Sequence, residues 1–201
     1  MKKFGTAVIL AGGKSKRMGR NKELLNIKNR RLVEMQISLL DKEFDDIIVI
    51  TNYPHYYNGL NCNTFTDIIK DKGPIGGIYT GLVNSSSLYT YFLACDMPSV
   101  NIQYIKFLKS ELIDYEYKAG ITLLGDWIEP FNAFYSKEMT KDIKEYILNG
   151  GYSVHKLAKS LKCLFIEEKT ARSYSPNWEM FINFNTKEDI EFYLEKDEMN
   201  T

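Results

Sequence analysis

Five basic side chains, Lys14, Lys16, Arg17, Arg20 and Lys22, follow closely behind the glycine pair Gly12-Gly13. The pair itself ends a short apolar run, Ala7-Val8-Ile9-Leu10, whose length and β-branched content suit a buried parallel strand. Glycines let the chain bend sharply and present backbone N–H groups without a Cβ in the way. Successive N–H groups in such a turn form an anion-binding concavity, to which the cationic side chains add full charges. This combination suits a triphosphate held at the carboxyl end of the first strand. Two familiar phosphate motifs do not account for it. Gly13-Lys14-Ser15 imitates the end of a P-loop, but that motif needs glycine where the chain has Val8. The dinucleotide fingerprint fails because position 14 is lysine.

Other chemistry-bearing residues share one kind of location. Asn52, Asp67 and Asp96 each stand where an expected strand gives out, as Gly12-Gly13 does. In a parallel sheet these carboxyl ends line one rim, the crevice where ligands bind. Asp96, in Cys95-Asp96-Met97-Pro98, suits a magnesium ligand. Magnesium takes oxygen donors, usually one or two carboxylates together with water and substrate phosphates. Asp before a turn also caps it, and on local grounds the two readings of Asp96 are evenly matched. Gly73-Pro74-Ile75-Gly76-Gly77 permits close backbone approach ahead of a helix, against a base, or is an ordinary helix-entry loop.

The elements that must position these groups follow from periodicity. The pattern predicts strands over Ile47–Ile50, Cys62–Thr66, Tyr89–Cys95, Lys118–Leu124, Trp127–Tyr135 and Cys163–Ile166. It predicts helices over Arg30–Phe44, from the glycines at 76 and 77 to about Asn84, and over Asn101–Ile113, Lys137–Leu148 and Ser153–Leu161. Tyr53–Asn63 reads as a loop with a short helical turn. A polar loop follows Ile166. Thr186 then caps a closing helix, Lys187–Lys196, with Asp189 completing a carboxylate version of the capping box. Alternation of strand and helix predicts an α/β fold: one domain over residues 1–201, a three-layer sandwich around a mostly parallel, Rossmann-like sheet. Residues 1–100 would form a nucleotide-binding half and residues 101–201 an acceptor-binding half.

Composition narrows the class. The 201 residues are 44% apolar and 26% charged, with formal net charge zero. No global field therefore draws the chain to nucleic acid or to an acidic membrane, and attraction for anions must be local. The apolar run near the start is too short for a signal-peptide core or a membrane span, so a cytoplasmic location is expected. Cys62, Cys95 and Cys163 are scattered, and His55 and His155 are far apart. That spacing speaks against structural zinc or a disulfide framework.

The string Leu10-Ala11-Gly12-Gly13-x-Ser15-x-Arg17-Met18-Gly19-x-Asn21-Lys22 resembles the signature of nucleotidyltransferases with a glycosyltransferase-A-like α/β fold. It is most similar to the molybdenum cofactor guanylyltransferases, the MobA-like proteins. The resemblance is specific over roughly residues 6–100 and looser beyond, where Glu129-Pro130-Phe131 and Asn183-Phe184-Asn185-Thr186 look like later landmarks of the family. It implies that Leu10, Ala11, Gly12, Gly13 and Lys22 lie on the nucleotide. Asn52 and Asp67 would touch base or ribose, and the segment at Gly73 would embrace the purine. Asp96 would hold both nucleotide and Mg²⁺. Lys22, Arg17 and Asp96 would be the catalytic groups. Leu-Ala-Gly-Gly with Pro74-Ile75-Gly76-Gly77 falls on the guanine side of the family, although Ile75-Gly76 is not the usual pair. Asn21 stands where aspartate is common.

The implied reaction moves GMP from MgGTP to the terminal phosphate of molybdenum-bound molybdopterin and releases pyrophosphate. An ionised acceptor phosphate needs no general base, so catalysis reduces to positioning and charge neutralisation. Asn183 and Asn185 are the acceptor candidates. Trp127, Tyr152 and His155 are further aromatic candidates, more ordinarily read as core or rim. Transient contact with molybdopterin-insertion and client molybdoenzyme proteins is expected. The alternatives are a cytidylyl- or sugar-phosphate nucleotidyltransferase, or a non-catalytic GTP-binding adaptor that delivers pterin.

Overall fold

The computed structural model describes residues 1–11, 22–186, 188–191 and 193–194. Along the chain lie β1 (Thr6–Leu10), β2 (Asn26–Ile27), β3 (Arg30–Arg31), α1 (Leu32–Leu40), β4 (Asp46–Ile50), β5 (Asn63–Phe65), α2 (Pro74–Asn84), β6 (Tyr89–Ala94) and α3 (Ile102–Leu112). They are followed by β7 (Ala119–Leu124), β8 (Trp127–Ser136), α4 (Met139–Leu148), α5 (Val154–Ser160), β9 (Leu164–Ile166) and α6 (Glu168–Tyr174). The main sheet has the order β5-β4-β1-β6-β8-β7-β9. β1 pairs in parallel with both β4 and β6, β4 with β5, and β7 with β9. β8 alone runs against its neighbours β6 and β7. The mostly parallel three-layer α/β architecture follows from β1, β4 and β6 being apolar on both faces. Their residues from Ala7 to Leu10, Ile47 to Ile50 and Tyr89 to Ala94 are all buried.

One apolar cluster joins alternate residues of these strands to α1, α3 and α6, through Val33, Ile37, Ile105, Leu108 and Ala171. The opposite faces pack on α2, α4 and α5 through Ile75, Leu82, Ile143 and Leu157. Each fully buried Leu, Ile or Phe in these layers contributes about 1.5–3 kcal/mol. α2 lies unusually close to the sheet for a specific reason. A methyl added at Gly77 would stand 3.0 Å from Leu10 Cδ1, and one at Gly81 would stand 2.6 Å from Phe92 Cε1. These two glycines, one turn apart, let the helix settle on β1 and β6 and carry its N-terminus to the strand rim.

Several elements differ from expectation. The helix predicted from Arg30 starts at Leu32, because Lys28 and Asn29 both take positive φ, 48° and 65°. That pair forms the two-residue turn of a small β2–β3 hairpin, which takes Arg30 and Arg31 into a strand. α2 begins at Pro74, so Gly76 and Gly77 belong to its first turn and not to a loop before it. Proline supplies the helical φ and lacks the N–H that would go unbonded there. The stretch expected as a polar loop after Ile166 holds α6 and a 3-10 turn at Glu179–Phe181, because Ala171, Met180 and Phe181 find burial under the sheet. The closing helix is described at 188–191 and 193–194, and its other predicted positions lie outside the described residues. Its cap is present: Asp189 Oδ2 accepts the N–H groups of Asn185 and Thr186 at 2.7 and 2.8 Å, and Asp189 N donates to Thr186 Oγ1 at 3.2 Å. Those two backbone bonds hold the Asp189 carboxyl below its ordinary pKa. Among the described residues, no helix is long and apolar enough to cross a membrane.

Candidate active site

The parallel strands β1, β4, β5 and β6 end at one rim, and the backbone knits their ends together. Ala11 N donates to Ile50 O at 2.9 Å, Thr51 N to Phe65 O at 2.9 Å, and Cys95 N to Leu10 O at 3.0 Å. Leu10 and Ala11 are buried at this edge, against Gly77 of α2 in the case of Leu10. Gly12, Gly13 and Arg17 lie outside the described residues. The chain returns at Lys22, whose ammonium donates to Asp96 Oδ2 at 2.5 Å and to Asn185 Oδ1 at 3.2 Å. Three residues singled out from three distant parts of the chain therefore meet at one point. The Lys22 and Asp96 side chains are only 23% and 14% exposed, so water screens their attraction less than at an open surface.

The other expected nucleotide ligands follow the neighbouring strands and the entry of α2. Asn52 is exposed immediately beyond β4. Asp67, just past β5, has one buried carboxylate oxygen with no hydrogen-bond partner. Desolvation raises its pKa. A carboxylate oxygen left dry and unpaired at a ligand rim is costly in the free protein, and a ligand hydroxyl or N–H satisfies it. Gly73 takes φ +58° at the entry of α2 and is exposed, while its carbonyl accepts the N–H groups of Gly76 and Gly77 at 3.1 and 3.3 Å. Of the Gly73–Gly77 segment, Gly73 is therefore the exposed glycine, whereas Gly76 and Gly77 serve helix entry and packing.

Of the two asparagines expected at the acceptor, Asn185 accepts from Lys22 directly. Asn183 is half-buried, donating to Phe181 O at 3.4 Å. Phe184 between them is fully buried and ties its N–H to Asp96 O at 2.9 Å. Trp127 and His155 meet each other, with ring centroids 5.0 Å apart, and Tyr152 is 72% exposed. None of their described contacts reaches Lys22 or Asp96.

Two supporting residues were not singled out from the sequence. Gln36, on α1 and 1% exposed, donates through Nε2 to Ala94 O at 2.9 Å and to Met97 O at 2.8 Å. It thereby clamps the turn that carries Asp96, although its own Oε1 has no partner. The available signal was an amide inside the apolar stripe of α1. Glu23, next to Lys22, is 3% exposed, and its Oε2 accepts the hydroxyls of Thr51 at 2.6 Å and Tyr57 at 2.9 Å. Burial raises its pKa against the pull of those two bonds. It anchors the returning chain to the end of β4, beside Asn52.

A glycine-bearing strand end, a carboxylate on the adjacent parallel strand and a lysine bridging to it define a nucleotidyltransferase on a Rossmann-like sheet. Comparison with known proteins gives the same class. The MobA-like NTP transferase domain matches residues 7–163. A molybdenum cofactor guanylyltransferase of Syntrophotalea carbinolica is 48% identical, covering 94% of this chain and 90% of the relative. A probable molybdenum cofactor guanylyltransferase of Peptoclostridium acidaminophilum is 43% identical over 96% of this chain and 89% of its own length. The crystal structure of molybdopterin-guanine dinucleotide biosynthesis protein A from Archaeoglobus fulgidus superposes with a TM-score of 0.80, covering 96% of this chain and 99% of that one at 20% identity, a likeness of fold. This chain belongs to the MobA-like NTP transferase family, among the molybdenum cofactor guanylyltransferases.

Proposed function

We propose that the chain transfers GMP from MgGTP to the terminal phosphate of molybdenum-bound molybdopterin, forming the guanine dinucleotide cofactor and releasing pyrophosphate. The observation that carries this reading is the meeting of Lys22, Asp96 and Asn185 at the rim where the glycine-bearing strand ends. Residues 1–100 hold the nucleotide in this scheme and residues 101–201 the acceptor. Leu10, Ala11, Gly12, Gly13, Asn52, Asp67 and Gly73 surround the nucleotide, and Asn183 and Asn185 the acceptor. The reaction takes place in the cytoplasm, with transient contact to insertion and client proteins.

The residues present suit magnesium. Asp96 offers a shielded carboxylate against which a cation, the Lys22 ammonium, already rests. Among the described residues no group of three His, Cys, Asp or Glu gathers as a closed cage would need. A single carboxylate is the donor set for an ion whose remaining ligands come from water and substrate phosphates. Bound there, Mg²⁺ would neutralise charge developing on the nucleotide phosphates. Lys22 stabilises the departing pyrophosphate, a role that the family resemblance extends to Arg17. Asn185, held by the Asp189 cap, keeps the acceptor side in register with Lys22. An acceptor phosphate oxygen attacks the α-phosphorus, the bond to the β-phosphate breaks, and pyrophosphate carries away the electron pair. No side chain has to remove a proton.

Calorimetric titration with GTP, CTP and ATP, each with and without Mg²⁺, tests the reading. GTP binding strengthened by Mg²⁺ is expected, with little for CTP. Asp96→Ala should abolish magnesium-dependent turnover while leaving the fold intact, and a fully active variant would remove Asp96 from the metal. Preference for CTP would move the assignment to a cytidylyltransferase.

A further inference from the structure

Glu129 is a half-buried carboxylate that the phosphate chemistry does not use. It stands beside an unusual departure of β8 from its ladder. Gly120 pairs with Phe134 and Thr122 with Glu129, so five steps along β8 span only two along β7. Residues 130–132 fall out of register with β7, and among them Asn132 takes φ +53°, while Ala133 still pairs with Phe92 of β6. The Asn132 side chain is buried, accepting the Tyr91 hydroxyl and donating to Met180 O, with Nδ2 3.9 Å from Met97 Sδ. Across from the bulge, Trp178 donates its indole N–H to Glu129 Oε1 at 3.4 Å and stacks under the Arg172 guanidinium at 4.7 Å. Trp178 holds φ +67°, a left-handed conformation that is strained for a bulky side chain. Such strain persists where surroundings enforce it, and here it sets the indole against the Glu129 carboxylate. Burial also raises the Glu129 pKa.

Buried contacts tie the region beside Glu129 to the turn that carries Asp96. Met180 bonds Asn132, Asn132 reaches Met97 next to Asp96, and Phe184 bonds the Asp96 carbonyl. A desolvated carboxylate with one long hydrogen bond is suited to accept two parallel N–H donors from a planar ring. The amino-lactam edge of an aminopyrimidinone offers that pair, and guanine and pterin both carry it. The strands expected to hold the nucleotide run from β5 through β4 and β1 to β6, whose end carries Asp96, whereas β8 lies on the far side of β6. We propose that Glu129, oriented by the Trp178 indole, receives the amino-lactam edge of the acceptor pterin. The inference rests on the transferase reading above.

The test titrates the full chain, saturated with MgGTP analogue, with neopterin phosphate, which has both the edge and a terminal phosphate. Glu129→Gln replaces one acceptor with a donor and should weaken pterin binding about ten- to hundred-fold, the worth of a charge-assisted bond, with GTP affinity unchanged. Glu129→Asp keeps the charge, shortens its reach and should fall between. Equal pterin affinity in the wild type and Glu129→Gln overturns the proposal. Loss of GTP affinity instead of pterin affinity also overturns it and assigns the carboxylate to guanine. A wild type that transfers GMP but does not bind neopterin phosphate overturns it too, leaving the transferase reading intact.

Discussion

Asp67, proposed as a nucleotide contact, carries a cost in stability. Its pKa is raised by desolvation, and one oxygen is buried without a partner. Ionising such a group opposes folding. The cost is absent below the carboxyl's unfolded pKa, grows as pH rises toward the raised folded value, and is complete above it. Asp67→Asn should therefore raise the melting temperature near neutral pH, give no gain in acid, and weaken GTP binding. Thermal denaturation at the two pH values and calorimetry together check this. A variant that loses stability at neutral pH would mean the oxygen is better satisfied than its surroundings indicate. Asp67, Asn52, Asp96 and Lys22 were legible as single residues because strand ends and basic clusters announce themselves locally. The contact between Lys22 and Asn185 was not, since 163 positions separate them and no local spacing encodes their approach.

At the scale of elements, α1 does more than cover the sheet. Through Gln36 it grips the Ala94–Met97 turn from below. Gln36→Leu would leave two buried carbonyls without these donors, a loss of about 1–3 kcal/mol, and free Asp96 to shift. A lower melting temperature is expected, together with reduced turnover that higher Mg²⁺ partly restores. Turnover unchanged at every Mg²⁺ level would show that the strand and Pro98 hold the turn without the amide. The apolar period of α1 predicted a helix here and absorbed Gln36 as one more core position. Periodicity reports which face is buried, not which buried residue has a polar task. For the same reason Arg30 and Arg31 were expected in the helix, although they form the returning strand of the hairpin that turns at Lys28-Asn29: positive φ at two consecutive residues reverses the chain, and the helix begins only at Leu32.

For the whole molecule, a ligand seated across β1, β4, β5 and β6 couples to the stability of the sheet. GTP with Mg²⁺ at a hundredfold its dissociation constant should add about 2.7 kcal/mol. For a chain of this size that raises the melting temperature by roughly 5–10 °C. The magnesium-dependent part of the rise should vanish in Asp96→Ala, as a denaturation series with and without metal would show. An equal rise without metal would mean that the nucleotide is held by the glycine turn and its cations alone.

The division between chain and fold follows the range of the forces involved. Short-range preferences decided a great deal: apolar runs on both faces made β1, β4 and β6 central, and polar residues closed the ends of β4, β5 and β6. Because parallel strands share a direction, their ends share a rim, so the placing of Asn52, Asp67 and Asp96 along one sheet edge was readable before any coordinate. The antiparallel return of β8, its bulge at residues 130–132, the approach of Trp178 to Glu129 and the landing of Asn185 on Lys22 were decided only in three dimensions. Each depends on burial gained between segments far apart in the chain, a quantity that no local pattern of residues contains.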